Sequence, residues 1–254
     1  MNTKLKNGLM LGATLVTIAC VIIGSWIHIG YGFMSMGLPI RIHGLFDGAT
    51  GEYTIDEKYE SLKSIDMDLN IGNINIISGK ENKIAVSANR DYLLPKVEYD
   101  NGTLKLYGQG NSSMNTGNTD IQITITVADK LDEIKCKLNL GDFKMDELDV
   151  ENVDVQMDLG DFKFRNSTAD KIKITENLGD VEVKEVGFDY LEINQDLGDV
   201  EVIVVGSANE YNYDVKASLG SIKVFDNEDD KKLKGGSGSK TIVIDSSLGD
   251  ITVK

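Results

Sequence analysis

Apolar and polar residues alternate with period two along most of the chain beyond residue 60. Ile65, Met67, Leu69 and Ile71 are separated by Asp66, Asp68 and Asn70, the pattern of a strand with one buried face. Shorter runs of the same kind span 84–88, 96–99, 104–107 and 121–127. The second and third of these flank Asn101-Gly102, a hairpin signal, because a type I′ turn needs positive φ at both central residues. Residues 108–118 are polar and glycine-rich and read as a loop.

From Lys130 the alternation becomes a repeat. Leu140-Gly141-Asp142 returns at 159–161, 178–180, 197–199 and 248–250, and Leu219-Gly220-Ser221 lacks only the Asp. The glycines are spaced by 19, 19, 19, 22 and 29 residues. Each motif leads into an apolar–polar–apolar triplet, such as Phe143-Lys144-Met145 or Val181-Glu182-Val183. In the first three repeats a second strand starts twelve residues after the glycine, at Val153, Ile172 and Leu191. Tyr211 and Ile242 play that part after longer excursions. Two short strands per 19-residue coil, with no helical period between them, predict an all-β, stacked β-solenoid rising by ~4.8 Å per coil. A single coil cannot bury its own apolar face, so stacking supplies the core. Ile71-Gly72-Asn73 reads as a degenerate member, with Asn in place of Asp.

The motif residues have separate physical reasons. Gly141, Gly160, Gly179, Gly198, Gly220 and Gly249 are structural turn residues, placed where the corner needs positive φ or close backbone approach. Asp142, Asp161, Asp180 and Asp199 would stand one coil apart, where each like-charge neighbour costs ~1 kcal/mol in bulk water. Backbone N–H donors, raised pKa values or a cation such as Ca²⁺ would offset that repulsion. The column therefore reads as turn carboxylates held by backbone, with a Ca²⁺-binding ladder as the alternative. Phe143, Phe162, Val181 and Val200 are expected to form one interior file. The outward column pairs Lys163 with Glu182 and Glu201 with Lys223. Cys136, Tyr211 and Tyr213 fall on apolar positions of strands and read as core. Residues 226–240 are charged and then Gly/Ser-rich, the composition of a mobile loop. The chain stops just after Val253, so the final coil is expected to leave an open strand edge.

Ahead of the strands, residues 9–29 carry no formal charge. A helix of that length, at ~1.5 Å per residue, just crosses a bilayer core of ~30 Å. Lys4 and Lys6 precede it and no Lys or Arg follows until Arg41. That bias predicts a single-pass cell-membrane anchor, with the N-terminus cytoplasmic and the C-terminal domain extracellular. Trp26 and Tyr31 stand where an outer aromatic belt would. A cleaved signal peptide and lipidation at Cys20 are the alternatives. The run is longer than a signal's apolar part, and Thr17-Ile18-Ala19-Cys20 is a poor lipoprotein box. The organisation is thus 1–32, cytoplasmic N-terminus and transmembrane helix; 33–60, juxtamembrane linker; 61–130, N-terminal β part with a hairpin; and 131–254, regular repeats.

Charge narrows the partners. Of 254 residues, 26 are Lys or Arg and 41 are Asp or Glu. Such a surface repels nucleic acid, which is excluded as a partner, and attracts metal ions and cationic peptides. Cys20 and Cys136 give no disulfide framework. His28 and His43 are the only histidines, so the β part has none. It has only Arg90 and Arg165, and no acid cluster apart from the turn column. These absences argue against an enzyme, although paired carboxylates keep glycoside hydrolysis formally open.

The recurrent Leu-Gly-Asp-apolar-polar-apolar unit, the run 121–127 before Leu131, and the terminal Leu248-Gly249-Asp250-Ile251-Thr252-Val253 resemble a bacterial "putative adhesin" family, a β-strand-repeat domain of unknown function. The resemblance covers roughly residues 60–254, and an N-terminal membrane segment is common in Gram-positive members. It implies surface display and, for some members, a link to cell-envelope stress. No catalytic residue carries over. The expectation is a membrane-tethered extracellular solenoid acting as a non-catalytic surface binding or scaffold module. It needs no cofactor, and its partner is a cell-envelope protein or surface ligand. An accessory of an envelope stress response, contacting a membrane partner or a cationic peptide, is the alternative. A polysaccharide-active solenoid enzyme is a distant third, since fold alone does not license function.

Overall fold

The computed structural model describes residues 52–109 and 119–254. The anchor predicted over 9–29 lies outside the described residues, and so does most of the 33–60 linker. Among the described residues no helix is long and apolar enough to cross a membrane. A compact unit spans Ala49–Lys254.

Seven strands precede the repeat: β1 (Tyr53–Tyr59), β2 (Ser64–Leu69), β3 (Asn73–Ser78), β4 (Asn82–Ala88), β5 (Lys96–Asp100), β6 (Thr103–Tyr107) and β7 (Ile121–Val127). The repeat supplies β8 (Leu131–Leu140), β9 (Phe143–Asp146), β10 (Asp149–Leu159), β11 (Phe162–Arg165), β12 (Thr168–Leu178), β13 (Val181–Leu197) and β14 (Val200–Val204). It continues with β15 (Tyr211–Leu219) and β16 (Ile222–Val224). Then come β17 (Asn227–Asp229), β18 (Lys232–Gly236), β19 (Lys240–Leu248) and β20 (Ile251–Val253).

Each coil contributes one strand to each of two sheets, and the two inner faces share the core. The alternation predicted from sequence is the reason. In β10, Val153, Val155 and Met157 point inward while Asp154, Gln156 and Asp158 do not. Stacking is in register: Phe143 pairs with Phe162, Phe162 with Val181 and Val181 with Val200, all buried. The predicted interior file is present. The Phe143 and Phe162 rings meet edge to face at 5.7 Å between centroids. On the other sheet Ile134, Val153, Ile172, Leu191 and Ile242 form a parallel file. Each such side chain contributes roughly 1.5–3 kcal/mol on burial, so these files, not surface ion pairs, set the register. Cys136 and Tyr211 are buried in the core and Tyr213 is nearly so. Burial pushes the Cys136 thiol well above its usual pKa, so it stays protonated and inert.

The order of strands in space departs from the order in sequence at both ends. One sheet runs β1, β4, β7, β3, β9, β11, the first part of β13, β14, β20, β16, β17. The other runs β5, β6, β2, β8, β10, β12, the second part of β13, β19, β15, β18. The pairings are parallel from β7 to β16 in the first sheet and from β6 to β15 in the second, and antiparallel outside those limits. The C-terminal coil, β19 and β20, is therefore inserted between the coil ending in β14 and the coil of β15 and β16. The expected open edge at Val253 is corrected: this strand is covered on both sides. The expected loop over 226–240 is corrected too. It folds back as β17 against β16 and β18 against β15, ending each sheet with a short, charged strand of the kind that resists further pairing.

Two smaller expectations also change. Residues 53–59, expected as the end of a linker, form β1 against β4. Its inward file of Tyr53, Ile55 and Tyr59 is only half-buried and is interrupted by Glu57, so the alternation is weak. Lys163 does stand beside Glu182 in register, but its ion pair is with Asp161 while Glu182 pairs with Arg165 and Lys184. Thr252 stands between Glu201 and Lys223, because the terminal coil separates them. The Asn101-Gly102 turn has φ of 49° and 86° and joins β5 to β6 as an antiparallel hairpin.

Candidate functional site: the leucine–aspartate corner

The corner where each coil passes from one sheet to the other breaks the period-two rule. In β10 and β11 the inward residues are Met157 and then Phe162, with four residues between them in place of one. Those four are Asp158-Leu159-Gly160-Asp161, and the extra length turns the leucine outward. The six leucines of the motif are 41–65% exposed. Register makes them one file in the order Leu140, Leu159, Leu178, Leu197, Leu248, Leu219. At ~4.8 Å per coil the ridge is about 24 Å long.

Glycine is required in this corner by backbone approach. A Cβ built on Gly160, whose φ is +141°, would lie 2.0 Å from the carbonyl oxygen of Gly141. The amide of Gly141 donates to the Leu159 carbonyl at 2.9 Å, that of Gly160 to Leu178 and that of Gly179 to Leu197. Gly72 joins the same ladder, donating to Leu140, so the degenerate member reads correctly as the first rung. Gly249 donates to Leu219.

The aspartates form a second ladder. The Asp161 amide donates to Oδ1 of Asp142, Asp180 to Asp161, Asp199 to Asp180 and Asp250 to Asp199, over 2.9–3.3 Å. Asn73 Oδ1 accepts from Asp142 at one end, and the Ser221 amide and hydroxyl both donate to Asp250 at the other. Each carboxylate therefore serves the amide of the next coil, which holds like charges together. This ladder explains the missing Asp of Leu219-Gly220-Ser221: Ser221 is the last rung, with no further coil amide to accept. Asp250 must precede it, consistent with insertion of the terminal coil. Among the described residues no three His, Cys, Asp or Glu converge as a metal would require. We expect Asp180→Asn, which keeps the acceptor, to stay within ~0.5 kcal/mol of the parent, and Asp180→Ala to lose about 1 kcal/mol. Urea unfolding of both variants checks this. Equal losses would mean that charge, not the amide bond, is what matters.

A second polar column runs on the other side of the leucines through Asn139, Asp158, Asn177 and Asp196, with Asn177 donating to Asp158 at 2.8 Å. Lys144 and Lys163 pair with Asp142 and Asp161 at 3.6 and 3.4 Å. Among the described residues, no Lys or Arg makes an ion pair with Asp158, Asp180, Asp196, Asp199 or Asp250. The leucine ridge is thus bordered by Asp180, Asp199 and Asp250 on one flank and, on the other, by Asp158 and Asp196 alternating with the neutral Asn139 and Asn177.

Beneath the ridge lies a buried polar file. Glu176, Gln195 and Ser246 are 1%, 3% and 0% exposed, in register on neighbouring coils between Met157 and Ala217. Gln195 Nε2 donates to the Gly179 carbonyl at 2.6 Å. Both Glu176 carboxyl oxygens, Gln195 Oε1 and the Ser246 hydroxyl have no hydrogen-bond partner. Burial, then the charges of Asp161, Asp158, Asp142 and Asp180, push the Glu176 pKa up to about 8, so it is largely protonated at neutral pH.

The sequence singled out the glycines and aspartates, and the structure brings both sets into this corner. It gave the leucines no role of their own, and Glu176 no notice. The four-residue gap between inward positions was the available signal for the first. Glu176 in the place held by Leu138 and Met157 was the signal for the second.

No curated protein matches the chain. Among solved structures, a "putative cell adhesion protein" from Clostridium sporogenes is 17% identical, with a TM-score of 0.49 over 80% of this chain and 99% of its own. A "putative adhesin" from Bacteroides fragilis is 16% identical, with a TM-score of 0.47 over 81% and 98%. A "putative lipid binding protein" from Parabacteroides distasonis is 14% identical, with a TM-score of 0.30 over 82% and 96%. The family model Toastrack DUF4097 matches residues 62–202, the stretch that holds β2 to β13 and the first four Leu-Gly-Asp corners, and the chain belongs to that family.

Proposed function

We propose that this protein is a non-catalytic surface binding module, tethered to the cell membrane by its N-terminal apolar segment and displayed outside the cell. Its working surface in this reading is the leucine–aspartate corner. The single observation that carries the reading is the file of six exposed leucines. A soluble domain gains little in stability from leaving about half of a leucine in water at every coil, and large contiguous exposed apolar patches mark interaction sites. Supporting it are the uncharged run 9–29 with Lys4 and Lys6 before it, and the absence of histidine from residues 52–254. A stacked core of this kind is rigid along its axis, which suits presentation of a linear surface.

The test uses the full chain in intact cells. A membrane-impermeant amine-reactive biotin is expected to label the lysines of residues 52–254 before lysis, with a cytoplasmic control protein unlabelled. Labelling only after lysis would defeat the placement outside the cell.

A further inference from the structure

We propose that the leucine corner is the docking site for a basic amphipathic α-helix of a partner protein. The helix is about four turns long, its apolar stripe on the leucine file, with Lys or Arg residues over Asp180, Asp199 and Asp250 on one flank and over Asp158 and Asp196 on the other. This deepens the surface-module reading and rests on it.

Backbone chemistry selects a helix. The leucine carbonyls of the corner already accept the glycine amides of the next coil. The aspartate amides are taken by the carboxylates of the coil before. Nothing remains on this edge for an added strand to pair with, so recognition runs through side chains. A helix satisfies its own backbone and presents only side chains.

Length and period fit as well. The ridge of about 24 Å matches about 16 helical residues, and its ~4.8 Å repeat lies close to the 5.4 Å helical pitch, so an i, i+3/i+4, i+7 stripe follows the file with a drift of only about 3 Å from the first leucine to the sixth. Charge decides the flanks. Asp180, Asp199 and Asp250 on one side, and Asp158 and Asp196 on the other, have no ion-pair partner within the described residues. The acidic stretch ends in Asn73 at one end and Ser221 at the other, which bounds the site to the central coils. A second copy of this chain is disfavoured, since two corners face to face would oppose their carboxylates, and an anionic lipid surface is disfavoured for the same reason.

The test is fluorescence anisotropy with the full-length chain in zwitterionic-lipid nanodiscs, empty nanodiscs giving the background. The probe is a labelled 16-residue Leu/Lys peptide with leucine on one helical face and lysine on its flanks. Saturable binding is expected, weakening about tenfold or more as NaCl rises from about 0.05 to 0.5 M. Leu178→Ser with Leu197→Ser is expected to cost about tenfold or more in affinity. These side chains are about half exposed, so the variant is expected to keep the parent's circular dichroism with a somewhat lower melting temperature, and binding is compared well below both transitions. Asp180→Asn with Asp199→Asn is expected to weaken binding and flatten its salt dependence. A scrambled peptide of the same composition that binds equally well would overturn the helix, leaving charge attraction only. Binding unaffected by the leucine substitutions would overturn the site. Leucine-dependent binding to zwitterionic vesicles, or leucine-dependent dimers in sedimentation, would replace the helix by lipid or by a second copy. Loss of the docking result with surface labelling intact leaves the surface-module reading standing, whereas labelling only after lysis removes both.

Discussion

Replacing Glu176 with methionine is expected to stabilise the protein, and to do so more at pH 8 than at pH 5. Glu176 occupies the inward position held by Leu138 and Met157 on the two preceding coils, and methionine fills similar volume. Burial acts on it first, and the charges that act most strongly after that are all acidic: Asp161, Asp158, Asp142 and Asp180. Its folded pKa is raised to about 8, far above the carboxylate range of the unfolded chain. The folded state therefore holds a proton that the unfolded state releases. The contribution of this group to stability is greatest below the unfolded pKa and declines as pH climbs towards about 8. Above that the loss is complete, at roughly 3–5 kcal/mol. The advantage of the methionine variant should grow across that window by about the same amount. Glu176→Gln should follow the same pH trend with a smaller gain, because a buried amide still lacks partners. Guanidinium unfolding of the three proteins from pH 5 to 8.5 reads the difference directly. A constant offset between parent and variant across that range would show that Glu176 does not retain its proton in the fold.

The opposite sign is expected at Gly160. Alanine there places a Cβ 2.0 Å from the Gly141 carbonyl oxygen and 2.6 Å from its carbon. Both obstructing atoms are backbone, so no rotamer change relieves the overlap. The coils must part locally, at the expense of the amide bonds that Gly141 makes to Leu159 and Gly160 makes to Leu178. With the strained positive φ added, the loss is about 3–5 kcal/mol. Gly72→Ala provides the internal comparison. It is the first rung, and a Cβ there meets nothing closer than the Ile123 Cδ1 at 3.4 Å, so its loss should be about 1 kcal/mol. If thermal melting finds the two variants equally destabilised, the requirement for glycine is local to each turn and does not come from stacking.

How far the fold was legible follows from which interactions are periodic. Phe143, Phe162, Val181 and Val200 share one interior file because each coil repeats the same two-residue strand, and a period of 19 leaves a single way to stack them. The glycine and aspartate of the motif were legible as corner residues for the same reason. Leu159 and its equivalents were hidden because a leucine at the end of an alternating strand ordinarily reads as core. Its exposure comes from the chain turning at Gly160, a property of the corner's path and not of the residue. Glu176 was hidden because acids are common in this sequence, and burial is what makes this one unusual.

The sequence by itself determined the coil: its length, its two strands, which residues face inward, and the Gly-Asp corner. These are local properties, set by side-chain alternation and by the backbone freedom of one residue. Tertiary structure alone decided the order of the coils, with β19 and β20 inserted ahead of β15 and β16, and the capping of both ends by antiparallel strands. It also decided that six half-exposed leucines line up between an aspartate ladder and a mixed Asn/Asp column. Identical coils have nearly interchangeable neighbours, so their order is settled by end effects, such as the Ser221 hydroxyl that closes the aspartate ladder. Those effects exist only once the stack is assembled.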